Sequence, residues 1–357
     1  MTNCERLQRY LAEKNIAAML LTNMPSIRWA TNFTGSFAAA IVTPTGGMFV
    51  TDSRYKIQAR EECLALPTSS FANPVKLEDF LKEKLAELGV SQLYFDHNQV
   101  SVATFTKWTE AFSAVELVGM EDPVDFLRMT KSAEEVEKIR EACRFTEQCL
   151  ERLLAMVKPG ATERELLWAF EDMLRPMDAS CAFPPIIVSG PRTARPHATA
   201  GTRAFEVGDF ITFDIGIRMN GYCSDITRTV ILGKATPRQR EIYEQLLKAQ
   251  TACVAAIRAG KKGKEIDGLA REILNEKDLG QYFGHGLGHG LGALVHDTGR
   301  LSPTIEQDIE IGQVWTIEPG VYIEGFGGAR IEDDVLITES GCDVLTTFPK
   351  HLIEIPC

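Results

Sequence analysis

Four acidic residues of this sequence stand inside or beside apolar, strand-like segments, where charged side chains are uncommon. Asp214 lies within the apolar run 210–217, and Asp225 follows shortly after it. Glu318 and Glu332 occupy comparable places about a hundred residues further along the chain. Carboxylates that converge on one point repel each other, so they need a proton or a cation to hold them together. The pattern therefore suggests a site that binds metal ions.

The first and third of these acids lie in two copies of one motif. Residues 311–320 (IGQVWTIEPG) match residues 207–216 (VGDFITFDIG), and the match aligns Glu318 with Asp214. Such internal similarity indicates a repeated structural unit.

The second arm of the motif is repeated as well. Residues 328–332 reproduce the spacing of residues 221–225, which aligns Glu332 with Asp225. Upstream, a Gly and a Glu recur at an offset of 100 residues. The sequence thus predicts a duplicated helix-plus-hairpin unit, whose two copies would bring the four carboxylates to one centre.

A tight β-hairpin is predicted at Asn220-Gly221, because Asn-Gly between two apolar runs is a strong hairpin signal. If these two residues form the loop, Asp214 lies opposite Thr227. The two-residue period of a strand then places Asp214 on the same face as Asp225.

Four of the six histidines lie in two loop-like segments. One segment is 284–296 (GHGLGHGLGALVH), whose five glycines each cost about 1 kcal/mol in a helix. An extended conformation is therefore predicted, and the glycines allow close approach of another backbone. Histidine is the usual nitrogen ligand and the usual acid-base group near neutral pH. The four clustered histidines are His197, His285, His289 and His296.

Four carboxylates and one imidazole form a coherent ligand set for two divalent cations. The oxygen-rich set favours Mn or Co, with Zn or Fe as alternatives, and disfavours a thiolate zinc site. Two metals roughly 3.5–4 Å apart lower the pKa of a shared water and polarise a carbonyl, so the predicted chemistry is hydrolysis.

Each acid taken singly has a simpler explanation. Asp214 or Asp225 could pair with Arg228, and Glu332 could pair with Arg330. All of these separate explanations would have to hold at once, and they would leave the internal repeat unexplained. The sequence therefore favours the metal site.

Composition and charge limit the class of partner. The chain has 357 residues, room for two domains, and a net charge of −11 with a pI near 5.2. The excess of acidic residues argues against nucleic acid and anionic membrane surfaces as binding partners. No apolar run approaches the ~18 residues of a membrane span, and no signal peptide is evident, so a cytoplasmic location is expected. Nine cysteines without a CxxC pair indicate reduced thiols.

Alternating helical and strand-like segments over the first part of the chain predict a small α/β domain covering residues 1–122. The second predicted domain covers 123–357. Its first long helix is expected to start at Ser132, with Glu135 completing a capping box, and the corresponding helix of the second copy at Thr236.

These residues and motifs also resemble a known family. FDIGIRMNGYCSDITRT, GHGLGHGLGALVH, TIEPGVY and ARIEDDV are similar to the signature of the pita-bread metallopeptidases, in the Xaa-Pro branch of aminopeptidase P and prolidase. The resemblance covers residues 123–355. The earlier segments FTGSFAAAIVT and TDSRY are similar to the creatinase-like amino-terminal domain of that branch. The implied fold is α+β, a pita-bread (creatinase/aminopeptidase) catalytic domain with a smaller α/β creatinase-like amino-terminal domain.

The resemblance also implies residue roles. His197 and His296 would steady the oxyanion, while His285 and Arg330 would contact the residue after the cut. Glu318 would take a proton from the attacking water and pass it to the leaving proline nitrogen, with a hydroxide that bridges the metals as the nucleophile. The implied metal ligands are Asp214, Asp225, His289, Glu318 and Glu332.

The activity implied by the resemblance is that of an Xaa-Pro aminopeptidase acting on peptides with proline at the second position. The alternative is an Xaa-Pro dipeptidase (prolidase), and the compact front domain leans slightly toward the aminopeptidase. A methionine aminopeptidase or a non-catalytic pita-bread binding module ranks lower. Creatinase shares both domains but has an incomplete ligand set. Relatives with this layout are commonly homodimers, so a homodimer is expected.

Overall fold

The computed structural model describes all 357 residues, which divide into two compact units, Met1–Arg128 and Met129–Cys357. Helix Pro123–Met129 spans this division. The domain boundary expected after residue 122 stays a prediction. No helix in the chain combines the length and the apolar character needed to cross a membrane.

The first unit is a six-stranded sheet in the order β4-β3-β2-β1-β5-β6 with five helices. The helices are α1 Asn3–Glu13, α2 Met24–Thr31, α3 Lys56–Glu62, α4 Leu77–Glu87 and α5 Val102–Ala111. The strands are β1 Met19–Leu21, β2 Ala39–Thr43, β3 Gly46–Asp52, β4 Thr68–Phe71, β5 Gln92–Asp96 and β6 Glu116–Met120.

Strand alternation builds a core on each face of this sheet. Met19 and Leu21 of β1 pack with residues of α1, α2 and α3 on one face. Leu20, between them, packs with residues of α4 and α5 on the other. Both faces are covered by helices, as the predicted α/β domain requires. The sequence did not predict β4, a half-buried strand that lacks an apolar alternation.

The second unit contains the repeated helices. They are α7 Ala133–Met156 and α8 Glu163–Leu174 in the first copy, and α9 Pro237–Ala256 and α10 Gly263–Asn275 in the second; helix α6, Pro123–Met129, precedes them at the division between the units. Both predicted caps are confirmed. The Ser132 hydroxyl accepts from the Glu135 amide while the Glu135 carboxylate accepts from the Ser132 amide, and Thr236 and Gln239 form the same capping box.

The strands of this unit form four sheets with the orders β11-β10-β7, β20-β12-β9-β8, β14-β13-β15-β18-β19 and β16-β17. The first strands are β7 Ser180–Cys181, β8 Ile186–Ser189, β9 Phe210–Ile215, β10 Ile217–Met219, β11 Tyr222–Cys223 and β12 Ile226–Leu232. The remaining strands are β13 Gly288–Gly290, β14 Asp297–Leu301, β15 Val314–Ile317, β16 Gly320–Ile323, β17 Gly327–Arg330, β18 Asp333–Ile337, β19 Cys342–Val344 and β20 Glu354–Ile355.

The predicted hairpin register is confirmed. Asp214 pairs with Thr227 across β9 and β12, and the loop residues Asn220 and Gly221 have φ angles of 51° and 83°. The second copy forms the corresponding hairpin from β15–β16 and β17–β18. Helices α7 and α8 pack on the first hairpin, and α9 and α10 on the second. Each hairpin, called a ribbon below, is thus covered by the two helices of its own copy.

Candidate metal centre

Three of the four acids lie where the two β-ribbons are interrupted. Asp225 falls between β11 and β12, Glu318 between β15 and β16, and Glu332 between β17 and β18. Asp214 is in β9, one residue before that strand ends. At Gly216, the matching break in the first ribbon, a Cβ atom would lie 2.3 Å from the Ser224 carbonyl oxygen, so only glycine fits. The breaks change the course of the ribbons beside the acids.

The glycine-rich segment brings His289 to these breaks. A Cβ atom at Gly288 would lie 2.0 Å from the Thr316 carbonyl oxygen, so glycine allows the predicted close approach of another backbone, which is that of β15. The Thr316 hydroxyl accepts a hydrogen bond from the His289 amide at 3.0 Å. These contacts hold His289 within β13, which is extended rather than helical.

The His289 ring is oriented for binding a metal. Its Nδ1 lies 3.1 Å from the Gly290 carbonyl oxygen, which can only accept, so Nδ1 carries the proton and Nε2 offers a lone pair. Nε2 lies 3.4 Å from Oε1 of Glu318 and 3.8 Å from Oδ2 of Asp225. Burial and the neighbouring His296 lower the pKa of His289 to about 3, so the ring is neutral near pH 7.

The carboxylates fit divalent cations. One ligand atom each from Asp225, His289 and Glu332 lie within 4.8 Å of one another, and all three residues are buried. Oδ1 of Asp225 and Oε1 of Glu332 are buried and accept no hydrogen bond from the protein. A buried carboxylate oxygen without a donor is costly, and a bound cation would remove that cost.

The acids also oppose one another electrostatically. Burial, followed by the charges of Glu332 and Asp214, raises the pKa of Asp225 well above its ordinary value. Burial and the Glu318 charge do the same to the pKa of Glu332. Burial raises the pKa of Glu318 to about 8, with Arg330 opposing the rise. The cluster resists full ionisation unless positive charge is added.

A chain of hydrogen bonds runs from Asp214 away from the other acids. Arg330 donates through Nη2 to Oδ2 of Asp214 and through Nη1 to the Tyr322 hydroxyl at 2.6 Å. That hydroxyl lies 2.9 Å from Nε2 of His285. Nδ1 of His285 lies 2.8 Å from the Gly286 carbonyl oxygen, so Nδ1 donates there and Tyr322 donates to Nε2. Burial lowers the pKa of His285 to about 4, which keeps the ring neutral near pH 7.

The particular arginine pairings suggested by the sequence are wrong, although Asp214 does pair with an arginine. Arg228 is buried and pairs with Asp333 at 2.8 Å, not with Asp214 or Asp225. Arg330 forms its ion pair with Asp214 rather than with Glu332.

Further contacts orient the predicted ligand residues. The Thr227 hydroxyl donates to Oε2 of Glu332 at 2.6 Å. Oδ2 of Asp334 accepts from the Asp225 amide at 2.9 Å, and Arg228 donates to the Glu332 carbonyl oxygen. Such contacts orient ligating side chains and tune a metal site.

A cavity of about 700 Å³ opens onto the acids. Its volume falls within the range usual for small-molecule sites. His197 and His296 are the more exposed of the histidines in its wall, and the His296 ring stands edge-on to His289 at 4.4 Å. All the residues predicted for the site line this cavity: His197, Asp214, Asp225, His285, His289, His296, Glu318, Arg330 and Glu332.

Sequence reasoning missed several polar residues of the site, of which Arg300 and Tyr322 matter most. Arg300 lines the cavity, and Tyr322 joins Arg330 to His285. Even spacing from a predicted residue is the one signal that the sequence offered: Arg300 lies four residues after His296, and Tyr322 four after Glu318. Both intervals include residues outside the strands, so strand alternation alone does not assign the two side chains to the site.

Comparison with known families identifies the family of this chain. Residues 137–339 match the model of metallopeptidase family M24, and residues 4–130 match the creatinase/prolidase N-terminal domain. The chain belongs to metallopeptidase family M24. This M24 protein is accordingly a metal-dependent hydrolase, and the family implies divalent metal ions.

Its relatives cover almost its whole length. An Xaa-Pro dipeptidase of Pyrococcus furiosus is 34% identical over 98% of this chain and 99% of its own. An Xaa-Pro dipeptidase structure from Bacillus anthracis matches with a TM-score of 0.93 at 35% identity, covering 98% of this chain and 99% of its own. An X-Pro aminopeptidase structure from Thermotoga maritima matches with a TM-score of 0.90 at 34% identity, covering 99% of each chain.

These matches confirm the family resemblance seen in the sequence. They also confirm the predicted fold class, an α+β pita-bread catalytic domain with a smaller creatinase-like α/β domain. The M24 matches extend over the helices and ribbons that carry the predicted ligands.

Proposed function

We propose that this M24 protein hydrolyses the bond between an amino-terminal residue and proline, and that dipeptides are its substrates. One observation carries the proposal. Buried carboxylate oxygens without donors face a neutral imidazole, at the base of a cavity of about 700 Å³ that other histidines line. The Xaa-Pro dipeptidases among the relatives support the choice of bond.

Two divalent ions would be held by the predicted ligand set. Its four carboxylates balance the four positive charges of two such ions. We propose Mn²⁺ as the metal, with Co²⁺, Zn²⁺ or Fe²⁺ as alternatives, since the donors are mainly oxygen with one nitrogen. Bound ions would lower the pKa of a water molecule and polarise the substrate carbonyl. The ligands are Asp214, Asp225, His289, Glu318 and Glu332.

The protein's own groups would then move the proton and hold the substrate. Glu318 has its Oε1 within hydrogen-bond distance of the Thr316 hydroxyl, at 3.3 Å, so the carboxylate is held at the cavity wall. There it would accept a proton from the attacking water and pass it to the proline nitrogen. His197 and His296, both exposed to the cavity, would donate hydrogen bonds to the oxyanion.

Apolar residues of the same cavity suit a proline ring. Phe183, Pro184 and Ile186 line one part of the wall, and Pro196 and Leu301 also contribute. An Xaa-Pro bond has no N–H, because its nitrogen is part of the ring. Recognition must therefore use the shape of the ring, which an apolar wall provides.

Arg300 is the reason for proposing dipeptides. Of the two arginines that line the cavity, Arg330 is buried and already bonded to Asp214 and Tyr322. Arg300 is exposed, and Nη1 contacts only the backbone oxygens of Asp297 and Gly299. It remains available to bind the free carboxylate of a dipeptide. We further propose that His285 and Arg330 contact the substrate residue that follows the scissile bond.

The second candidate is an Xaa-Pro aminopeptidase that accepts longer peptides. The sequence leaned toward it, and the relative from Thermotoga maritima supports it at 34% identity. Methionine aminopeptidase ranks lower because this chain carries the creatinase/prolidase N-terminal domain. A binding module ranks lower because all the predicted ligands are present.

One assay tests these proposals together. Purified protein with Mn²⁺ is given a Xaa-Pro dipeptide, a Xaa-Pro-Yaa tripeptide and a Met-Ala dipeptide in parallel. We expect rapid cleavage of the first substrate alone. Cleavage of the tripeptide at a similar kcat/KM would favour the aminopeptidase, and cleavage of Met-Ala alone would exclude Xaa-Pro specificity. Well under one metal ion per chain and no turnover would favour the binding module. We also propose that the protein is a homodimer, and sedimentation of the same sample tests this.

A further inference from the structure

Glu163, at the start of α8, is a fully buried carboxylate that closes the loop carrying His197. Its oxygens accept hydrogen bonds from the Ser189 amide at 2.9 Å and the Gly201 amide at 2.8 Å. These two residues flank the segment 190–200 that carries His197, so one carboxylate holds both ends together.

Arg192 completes the closure from inside the loop. Its Nε donates to both oxygens of Glu163 at 3.1 Å, and its Nη2 donates to the Thr199 carbonyl oxygen at 2.5 Å. Thr199 and His197 both line the cavity. The guanidinium therefore ties the cavity side of the loop to the carboxylate beneath it.

Asp267, in α10 of the second copy, does the same for His285. Its side chain is fully buried, and Oδ1 accepts from the Leu287 amide at 3.1 Å. Arg271 donates to Asp267 at 2.7 Å and to the carbonyl oxygens of Phe283 and His285 at 3.0 and 2.6 Å. The segment around His285 is thus bound by one buried carboxylate and one arginine.

Glu163 and Asp267 share a role other than capping their helices. Thr162 already caps α8 through its own capping box, so Glu163 is not needed for that purpose. A fully buried carboxylate is retained only when it is well paired, and here the partners include backbone amides of the segments that carry His197 and His285. Neither acid contacts the metal ligands.

We infer that Glu163 and Asp267 are positioning residues, and that each sets one cavity histidine: Glu163 sets His197 and Asp267 sets His285. The inference deepens the proposed function and rests on it for what the two histidines do. The positioning itself is independent of the reaction.

Hydrogen exchange measured by mass spectrometry on the full chain tests the positioning without any activity. Glu163→Gln should speed amide exchange in peptides covering 189–201 by about tenfold or more, with peptides covering 283–289 unchanged. Asp267→Asn should give the reverse pattern. Faster exchange in both segments, or in neither, would overturn the inference.

A second pair of variants covers the case in which a buried change prevents folding. Arg192→Met and Arg271→Met alter the half-buried partners instead and should give the same two separate patterns. Mn²⁺ content should equal that of the wild-type protein in all four variants, because the metal ligands are untouched. A loss of metal would contradict a role confined to the histidines.

Double-mutant cycles then test whether the position of each histidine matters for the reaction. They compare kcat/KM for a Xaa-Pro dipeptide in single and double variants. We expect Glu163→Gln to lower kcat/KM about tenfold in the wild-type background and in His285→Ala, but to have little further effect in His197→Ala. Asp267→Asn should couple to His285→Ala only. Equal losses in all backgrounds would indicate a merely structural role. If the wild-type protein does not cleave the peptide, the proposed function fails, and the exchange experiment still decides the inference.

Discussion

Arg330 donates a hydrogen bond from Nη2 to Oδ2 of Asp214, and these side chains belong to residues only 3% and 8% exposed. The same guanidinium reaches the Tyr322 hydroxyl and, through Nε, the Thr227 hydroxyl at 3.1 Å. Thr227 in turn donates to Glu332. One arginine therefore orients carboxylates of both ribbons.

Replacing Arg330 by lysine should weaken metal binding although the charge is kept. An ammonium group cannot reproduce the planar fork that reaches the side chains of Asp214, Tyr322 and Thr227 and the Pro196 carbonyl oxygen. We expect the affinity for Co²⁺ to fall about 10- to 100-fold, as is usual when groups behind a metal ligand are changed. Isothermal titration measures it. Arg300→Lys is the matched control and should leave the affinity unchanged; an equal loss in both variants would contradict the role given to Arg330.

Replacing Arg300 by methionine should impair binding of dipeptides. Loss of one charge-assisted hydrogen bond should raise KM for a Xaa-Pro dipeptide about tenfold or more. The amide of the same dipeptide, which has no free carboxylate, should be cleaved equally by both proteins. If KM rises for acid and amide alike, Arg300 does not read the carboxylate.

Removing the metal should make stability depend on pH in a defined direction. Burial raises the pKa of Glu318 from 4.5 to about 8, so the folded metal-free protein binds more protons than the unfolded chain between these values. Its free energy of unfolding should therefore fall as pH rises, by up to about 1.4 kcal/mol per pH unit for each proton released.

The suitable window is pH 6.5–8, since His289 and His285, with pKa values lowered to about 3 and 4, act in the opposite direction at lower pH. Urea titrations of the metal-free protein measure the slope. Glu318→Gln should make it shallower, and Mn²⁺ should stabilise the wild-type protein more at pH 8 than at pH 6.5. A stability that rises with pH would refute the assignment.

Replacing His289 by alanine should release metal. The neutral Nε2 is the single nitrogen donor of the predicted set, so we expect metal content per chain to fall clearly in elemental analysis after dialysis. His296→Ala, whose ring lies 4.4 Å away, should keep its metal while losing turnover. Equal metal contents in the two variants would remove His289 from the ligand set.

Replacing Glu318 by glutamine should remove the proton carrier with little change of shape. We expect kcat to fall about 10²- to 10⁴-fold, the usual contribution of general acid-base catalysis. The circular dichroism spectrum should match that of the wild-type protein. Turnover at the wild-type rate would exclude Glu318 from proton transfer.

Much of the fold and of the site was predictable because the signals are local. Asn220-Gly221 and the two-residue period of strands determine that Asp214 faces Thr227, whichever residues surround the hairpin. The capping box at Ser132 likewise depends on neighbours three residues away. The repeat and the clustered histidines then identify the acids and imidazoles that line the cavity.

Only the tertiary structure decided which of these side chains pair. Arg330 and Asp214 are 116 residues apart in the chain, and Ser189 reaches Glu163 across 26. Spacing along a strand assigns a residue to a face, but the partner on that face depends on how two ribbons and their helices pack together. The sequence by itself determined the chemical groups and their local orientation, while packing between distant segments determined how those groups are connected.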